Sequence, residues 1–326
     1  MRKATGVFIL RRMLQLIPVV IAIAALNFLL LHMTPGDAAD ILAGQMGHAT
    51  VEFTQQLRQE FGLDRPLYEQ FAIYLGKLLT FDLGMSHIQQ TPVIELILGR
   101  LPATLILMVA AITISVVLGV ILGVSAARRQ GTITDNLISV TALIVYATPA
   151  FWLGLMLIVL FSIILDILPS GGMMQVGAGL TGIDHVLDVA RHLILPATTL
   201  GLFYVAIYTR LMRASMLEVY GLDFIVTARA KGLSEGQIAW THAMRNALLP
   251  VITLAGVQIG HLLGGSILIE TVFGWPGLGR LVFDALLQRD LNLLLGILFI
   301  SSVVVILANL VVDLLYGLLD PRIVHK

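Results

Sequence analysis

The chain has 326 residues, 58% of them apolar and only 12% charged, with no net formal charge. Soluble domains carry roughly a quarter charged residues, so this composition cannot supply a polar coat for water, and the balance of signs leaves no basic stripe for nucleic acid. The absence of cysteine excludes disulfides and thiolate metal sites.

Runs free of Asp, Glu, Lys and Arg mark six candidate transmembrane helices, and with them an all-α membrane fold. The first, Met13–Met33, follows Arg2, Lys3, Arg11 and Arg12. A signal peptide begins the same way, but its apolar core spans only roughly 7–15 residues, so an uncleaved span is expected. In the segment 34–100 that follows, Val51–Phe61 and Pro66–Phe81 have helical spacing and Pro92–Arg100 predicts a third short helix. This segment reads as a small helical cap outside the membrane, or as a passive loop. A core region, 101–326, holds the other five spans: Leu101–Ala127, Leu137–Leu165, Leu193–Thr209 (running on to Met212), Leu248–Ile269 and Leu291–Val312.

Lys and Arg in the short loops set the orientation. With the N-terminus cytoplasmic, 13 of them lie inside and 3 in the short outer loops. Both termini are therefore expected to be cytoplasmic.

The inner segment 214–247, between the fourth and fifth spans, carries the most local information. Ser215-Met216-Leu217-Glu218 is a capping-box pattern that predicts a helical turn, interrupted at Gly221. Asp223 is placed to cap a second helix, Phe224–Lys231, which Gly232 stops in the left-handed conformation. Ser234-Glu235-Gly236-Gln237 is another capping box, opening a helix through Trp240 and His242 towards Pro250. Two short helices joined at a glycine would lie at the membrane surface; a basic loop that only fixes topology has the same spacing.

Thr227-Ala228-Arg229-Ala230-Lys231-Gly232-Leu233-Ser234, continued by His242-Ala243-Met244-Arg245-Asn246-Ala247-Leu248-Leu249-Pro250, resembles the permease signature of binding-protein-dependent ABC importers. It is most similar to the B-type permease of the dipeptide/oligopeptide/nickel branch. Val226-Thr227-Ala228 stands where the general signature has Glu-Ala-Ala, a departure expected of the peptide branch. The resemblance extends through Thr34-Pro35-Gly36-Asp37, Phe61–Tyr68, Asp82-Leu83-Gly84-Met85-Ser86, Arg100–Thr104, Phe273-Gly274-Trp275-Pro276-Gly277-Leu278-Gly279-Arg280 and Asp320-Pro321-Arg322-Ile323.

The resemblance implies a multi-pass permease of the bacterial inner membrane. It implies a second homologous permease, two cytoplasmic ATPases that hold ATP and Mg, and an extracytoplasmic substrate-binding protein as partners. It also implies that residues 227–234 couple the permease to the ATPases. The chain itself has no Gly-x-x-x-x-Gly-Lys-Ser/Thr, so it lacks a P-loop for ATP, and no cofactor is expected in it. Arg229 and Lys231 would suit an acidic groove on an ATPase.

Polar groups within spans mark a pathway, because they are costly in lipid. His261 lies near the middle of the fifth span with Gln258 three residues before it. Gly256, Gly260, Gly264 and Gly265 share that helix, so a close-packed seam with a satisfied histidine competes with a pathway role. An intramembrane enzyme would need a nucleophile with a partner or a metal site, and neither His-Glu-x-x-His nor Gly-x-Ser-x-Gly occurs. A secondary transporter would use acidic groups at mid-span, where this chain has none.

Overall fold

The computed structural model describes residues 2–33, 64–86 and 88–319, together with Gln55 and Gln59. The regular structure of the described residues is helical, with one isolated antiparallel bridge, Met85 to Pro92. The helices are α1 (Arg2–Met33), α2 (Leu67–Leu79), α3 (Val93–Arg128), α4 (Ile133–Ala147), α5 (Ala150–Ile158, continued by a π-helical turn Val159–Ile164) and α6 (Gly182–Tyr220). They continue with α7 (Asp223–Ala230), α8 (Glu235–Val272), α9 (Leu278–Gln288) and α10 (Leu291–Leu319). Residues Ile238–Ala243 of α8 form a π-helical turn.

Among the described residues, four helices are long and apolar enough to cross a membrane: α3, α6, α8 and the Leu291–Val312 part of α10. The pair α4 and α5, bent by 101°, passes the same test only when the two are taken together, and Ile17–Met33 of α1 is a shorter apolar stretch. The expected span Leu137–Leu165 thus forms as two helices that meet at a sharp bend. Its break falls at Thr148-Pro149, where Thr148 is extended (ψ 130°). Proline lacks an N–H and disfavours the helical conformation in the residue before it, and here, unlike at Pro102 and Pro196, the helix breaks.

Two further expectations change. Pro92–Arg100 is no separate helix but the first turns of α3, which passes through Pro102. The fourth span is longer than its apolar run: α6 has 39 residues, with Pro196 inside rather than at its start and Ser215–Glu218 within its last turns instead of capping a new helix. The helix expected at Pro66–Phe81 forms as α2, with Pro66 at its N-cap. The one expected at Val51–Phe61 falls, but for two glutamines, outside the described residues, as do Thr34–Asp37 and Asp320–Ile323.

The chain forms two compact units, Met1–Leu98 with Ala285–Lys326, and Gly99–Asp284. In the first, α1 packs on α10 and α2. Asn27 is buried and its Nδ2 donates to Leu295 O (3.2 Å), while Phe28 meets Phe71 edge-on at 5.4 Å between ring centres. Asp290 caps α10 by accepting from Leu293 N (3.1 Å), and Ser86 Oγ donates to its other oxygen at 2.5 Å. The Asp82–Ser86 motif therefore fastens the turn after α2 to the start of α10.

The second unit is built around α6, which packs with α4, α5 and α8. Glycines bring α3 close to it. A Cβ on Gly123 would stand 2.6 Å from Met212 Cβ, and one on Gly201 would stand 3.0 Å from Ile114 Cγ2. Such small-residue seams let helices meet where no hydrophobic effect drives them together. Ser115 Oγ lies in that seam, within 3.0 Å of Gly201 O.

Candidate functional site

After Tyr220 the chain leaves α6 through Gly221 and makes a compact corner of α7 and the start of α8. α7 starts at Asp223 itself: Leu222 is its N-cap and no side chain caps it, so Asp223 serves as an acidic first-turn residue rather than the expected cap. An acid there still complements the positive end of the helix dipole.

The end of α7 forms as its sequence dictates. Gly232 has φ +79°. Its N–H donates to Arg229 O (2.9 Å) and the Leu233 N–H to Ala228 O (3.3 Å), the paired bonds of a Schellman stop. A Cβ at Gly232 would meet nothing within 4 Å, so the demand for glycine is one of backbone conformation alone.

Two residues later the expected capping box is present. Ser234 Oγ accepts from Gln237 N (3.3 Å), and Gln237 Oε1 accepts from Ser234 N (3.1 Å). Between these motifs the Arg229 guanidinium grips Glu235 with both ends, at 2.8 and 3.3 Å. That carboxylate raises the Arg229 pKa above its ordinary value.

The corner has a buried and an open side. Ile225 and Ala228 of α7 are buried, as are Ile238, Ala239 and Ala243 of the π-helical turn on which α7 packs. Leu222, Phe224 and Val226 are exposed apolar residues, Val226 at 60%. Thr227, Ala230 and Lys231 are exposed beside them. The open side thus combines apolar surface with one lysine, while Arg229 is engaged within the corner.

A brace holds the same end of the unit. Arg213 near the end of α6 donates Nε and Nη2 to the two oxygens of Asp135 in α4, each at 2.7 Å. Gly131 N adds a third bond at 3.0 Å. Asp135 is buried, a setting in which a carboxylate needs such partners.

The two pathway candidates part company. Gln258 is half-buried and hydrogen-bonds Tyr204 of α6, so it belongs to the α6–α8 seam. His261 is exposed on the face of α8 away from that seam, next to Val257 (60% exposed), Gly264 and Leu268. The glycine spacing divides likewise: a Cβ on Gly265 would touch Leu200 at 3.5 Å, whereas one on Gly264 would meet nothing within 4 Å.

One polar centre has no counterpart among the expectations. Glu270, at the far end of α8, is fully buried. Thr104 Oγ1 donates to its Oε1 (2.8 Å) and accepts from Leu278 N (2.7 Å), and Arg280 N donates to Oε2 (3.0 Å). A Cβ on Gly277 would collide with the carboxylate, and one on Gly279 would stand 2.6 Å from Ile267 Cα. Trp275 Nε1 donates to Ala103 O (2.8 Å). The Phe273–Arg280 motif is the wrapping of this carboxylate.

Comparison with known proteins places this arrangement. Residues 119–325 match the family described as "Binding-protein-dependent transport system inner membrane component", and residues 6–108 match the N-terminal region of such membrane components. The chain is 43% identical to the dipeptide transport system permease protein DppB of Escherichia coli (strain K12), over 98% of this chain and 99% of that one. It is 39% identical to the di/tripeptide transport system permease protein DppB of Pseudomonas aeruginosa (strain UCBPP-PA14), with the same coverage. A chain of the MetNI methionine ABC transporter, solved in inward-facing conformations, superposes with a TM-score of 0.56 at 18% identity. The match covers 69% of this chain and 96% of that one, a likeness of fold.

Proposed function

Because the chain belongs to the family of binding-protein-dependent transport system inner membrane components, we propose that it is the peptide-carrying permease of an ABC importer, coupled to its ATPases through the corner at residues 223–243. Substrates are dipeptides or short oligopeptides, in keeping with what its relatives are named for. The chain is a non-catalytic half of the pathway. A second homologous permease completes it, two ATPase subunits supply ATP hydrolysis with Mg, and a binding protein delivers the peptide. Thirteen inner Lys and Arg against three in the short outer loops support cytoplasmic termini and a cytoplasmic corner.

The corner's build carries the coupling reading. A Schellman stop, a capping box and a buried Ile225–Ala228 seam fix α7 on the root of α8. α6 runs from Gly182 to Tyr220 without interruption before turning into α7. Motion imposed on the exposed Leu222–Val226 surface by an ATPase is thereby delivered to two membrane-crossing helices as a rigid-body displacement. Exposed His261 is the pathway candidate, since an imidazole at mid-span is costly against lipid; Gln258 supports the seam.

Reconstitution with the ATPases and the binding protein tests the proposal. Dipeptide-loaded binding protein should stimulate hydrolysis and drive uptake together. Uptake that persists without the ATPases would make the chain a secondary transporter instead. For orientation, Tyr68→Cys should react with an impermeant reagent on intact cells and Lys231→Cys only after the membrane is opened; the reverse pattern would refute it.

A further inference from the structure

We infer that the cleft beneath the corner binds the phosphate of an anionic lipid headgroup. The inference rests on the cytoplasmic placement of the corner proposed above. The cleft, of ≈ 400 Å³, is lined by Ala127 and Arg128 in the last turn of α3, Gln130 just after it, Leu217 and Tyr220 at the end of α6, and Arg229 and Glu235 of the corner. Its chemistry is that of a donor set: two guanidiniums, a phenol and a carboxamide against a single carboxylate.

That carboxylate is already held by Arg229. Arg128 has no ion pair among the described residues, although its field reaches both Tyr220 and Glu235. Its Nη2 lies 3.8 Å from where a Cβ on Gly236 would stand, so the guanidinium reaches across the cleft to the corner. A planar guanidinium with open donors takes phosphate in two-point fashion.

Depth selects a lipid over an acidic side chain of a protein partner. Arg128 is the first charged residue after the apolar run Leu101–Ala127, where hydrocarbon gives way to headgroups. Val117 and Ile121, 49% and 43% exposed, precede it by 11 and 7 residues and so share its face of α3. Two exposed apolar residues deeper on the face that carries the unpaired guanidinium suit an acyl chain below a phosphate, with buried Val124 forming the turn between them and Arg128. Basic pockets between the cytoplasmic ends of membrane helices hold anionic headgroups in this way. Since Arg229 and Glu235 belong to the corner, an occupied cleft would steady α7 against α3 and α6.

The test uses the complete transporter, with its ATPases and binding protein, in nanodiscs of phosphatidylcholine alone or with phosphatidylglycerol added. Wild-type complex should retain phosphatidylglycerol in native mass spectra, and its peptide-stimulated hydrolysis should rise severalfold with that lipid. Arg128→Gln should retain it about tenfold less, as loss of one charge-assisted pair implies, and lose the rise; Arg128→Lys should keep part of both. Equal responses of wild type and Arg128→Gln would overturn the inference. So would an equal loss of hydrolysis in both membranes, which would assign the cleft to an ATPase side chain. A rise produced by inorganic phosphate in phosphatidylcholine discs would overturn the lipid assignment. Wild-type hydrolysis indifferent to peptide in either membrane would count against the permease reading alone, because the retention comparison does not depend on it.

Discussion

The corner at residues 223–243 and the cluster around Glu270 are both organised by hydrogen bonds about glycines, yet they differ in reach and exposure. In the corner every bond joins residues at most six apart, and the Arg229–Glu235 grip is open to water at both ends. At Glu270 the key bond joins residues 166 apart, and the carboxylate has no exposed surface. Groups that water can solvate exchange partners at little cost, whereas a buried carboxylate without its donors is strongly penalised. The second unit thus has one end able to meet a moving partner and one end that cannot rearrange without breaking.

The largest effect should follow from attacking the closed end. Glu270→Ala would remove the acceptor for Thr104 Oγ1 and Arg280 N and leave a void between Gly277 and Gly279. With the buried Thr104 hydroxyl and the part-buried Arg280 N–H orphaned and the void left unfilled, we expect a loss of about 3 kcal/mol. It should be read as a lowered melting temperature in detergent and less protein in the membrane. Glu270→Gln, which keeps an acceptor oxygen, should cost less. An alanine variant that melts like wild type would show that the cluster does not hold the turn between α8 and α9.

The same difference explains what could be read from residues alone. Gly232 as a left-handed stop and Ser234–Gln237 as a capping box were legible because each is decided by neighbours within a turn or two. Five of the six apolar runs form as continuous helices for a similar reason, since their backbone bonds are local. Glu270 instead served only to mark where an apolar run ended; nothing in its immediate sequence shows that Thr104, in another helix, returns to meet it. Asp135 and Arg213, 78 residues apart, were hidden in the same way. The break at Thr148-Pro149 has a local cause in the proline, but a span read only from the absence of charge runs straight over it. The separation of His261 from Gln258 depends on which side of α8 meets α6, which spacing along one helix does not fix.

A smaller effect on stability, and a larger one on function, is expected at Gly232. Val there must adopt φ +79° at a local cost of about 1–2 kcal/mol, with no clash to relieve because the space around it is empty. Gly232→Val should therefore insert and assemble normally while losing peptide-stimulated ATP hydrolysis and uptake together. Gly232→Asn, which tolerates the left-handed region, should retain much of both. Full activity in the valine variant would break the link between the helix stop and coupling. His261→Leu provides a control elsewhere in the unit: uptake should fall with assembly intact, and unchanged uptake at normal expression would remove the histidine from the pathway.

The smallest effect should come from the grip that looks most conspicuous. Arg229 and Glu235 are 47% and 61% exposed at the side chain, and water and salt screen such pairs. The Schellman stop and the capping box already fix the angle between α7 and α8, so the ion pair is a third restraint on a geometry set by two others. Arg229→Gln and Glu235→Gln should each melt as wild type does. In phosphatidylcholine discs, where the cleft lacks an anionic lipid, each should keep stimulated hydrolysis within about twofold of wild type, in line with the weak coupling of exposed pairs. The double variant should be no worse than either single one, because the second substitution removes only a partner already lost. A fall of tenfold in both singles, unrelieved in the double, would mean that the charges and not the backbone motifs set the corner's angle. The open end would then be as intolerant of change as the Glu270 cluster.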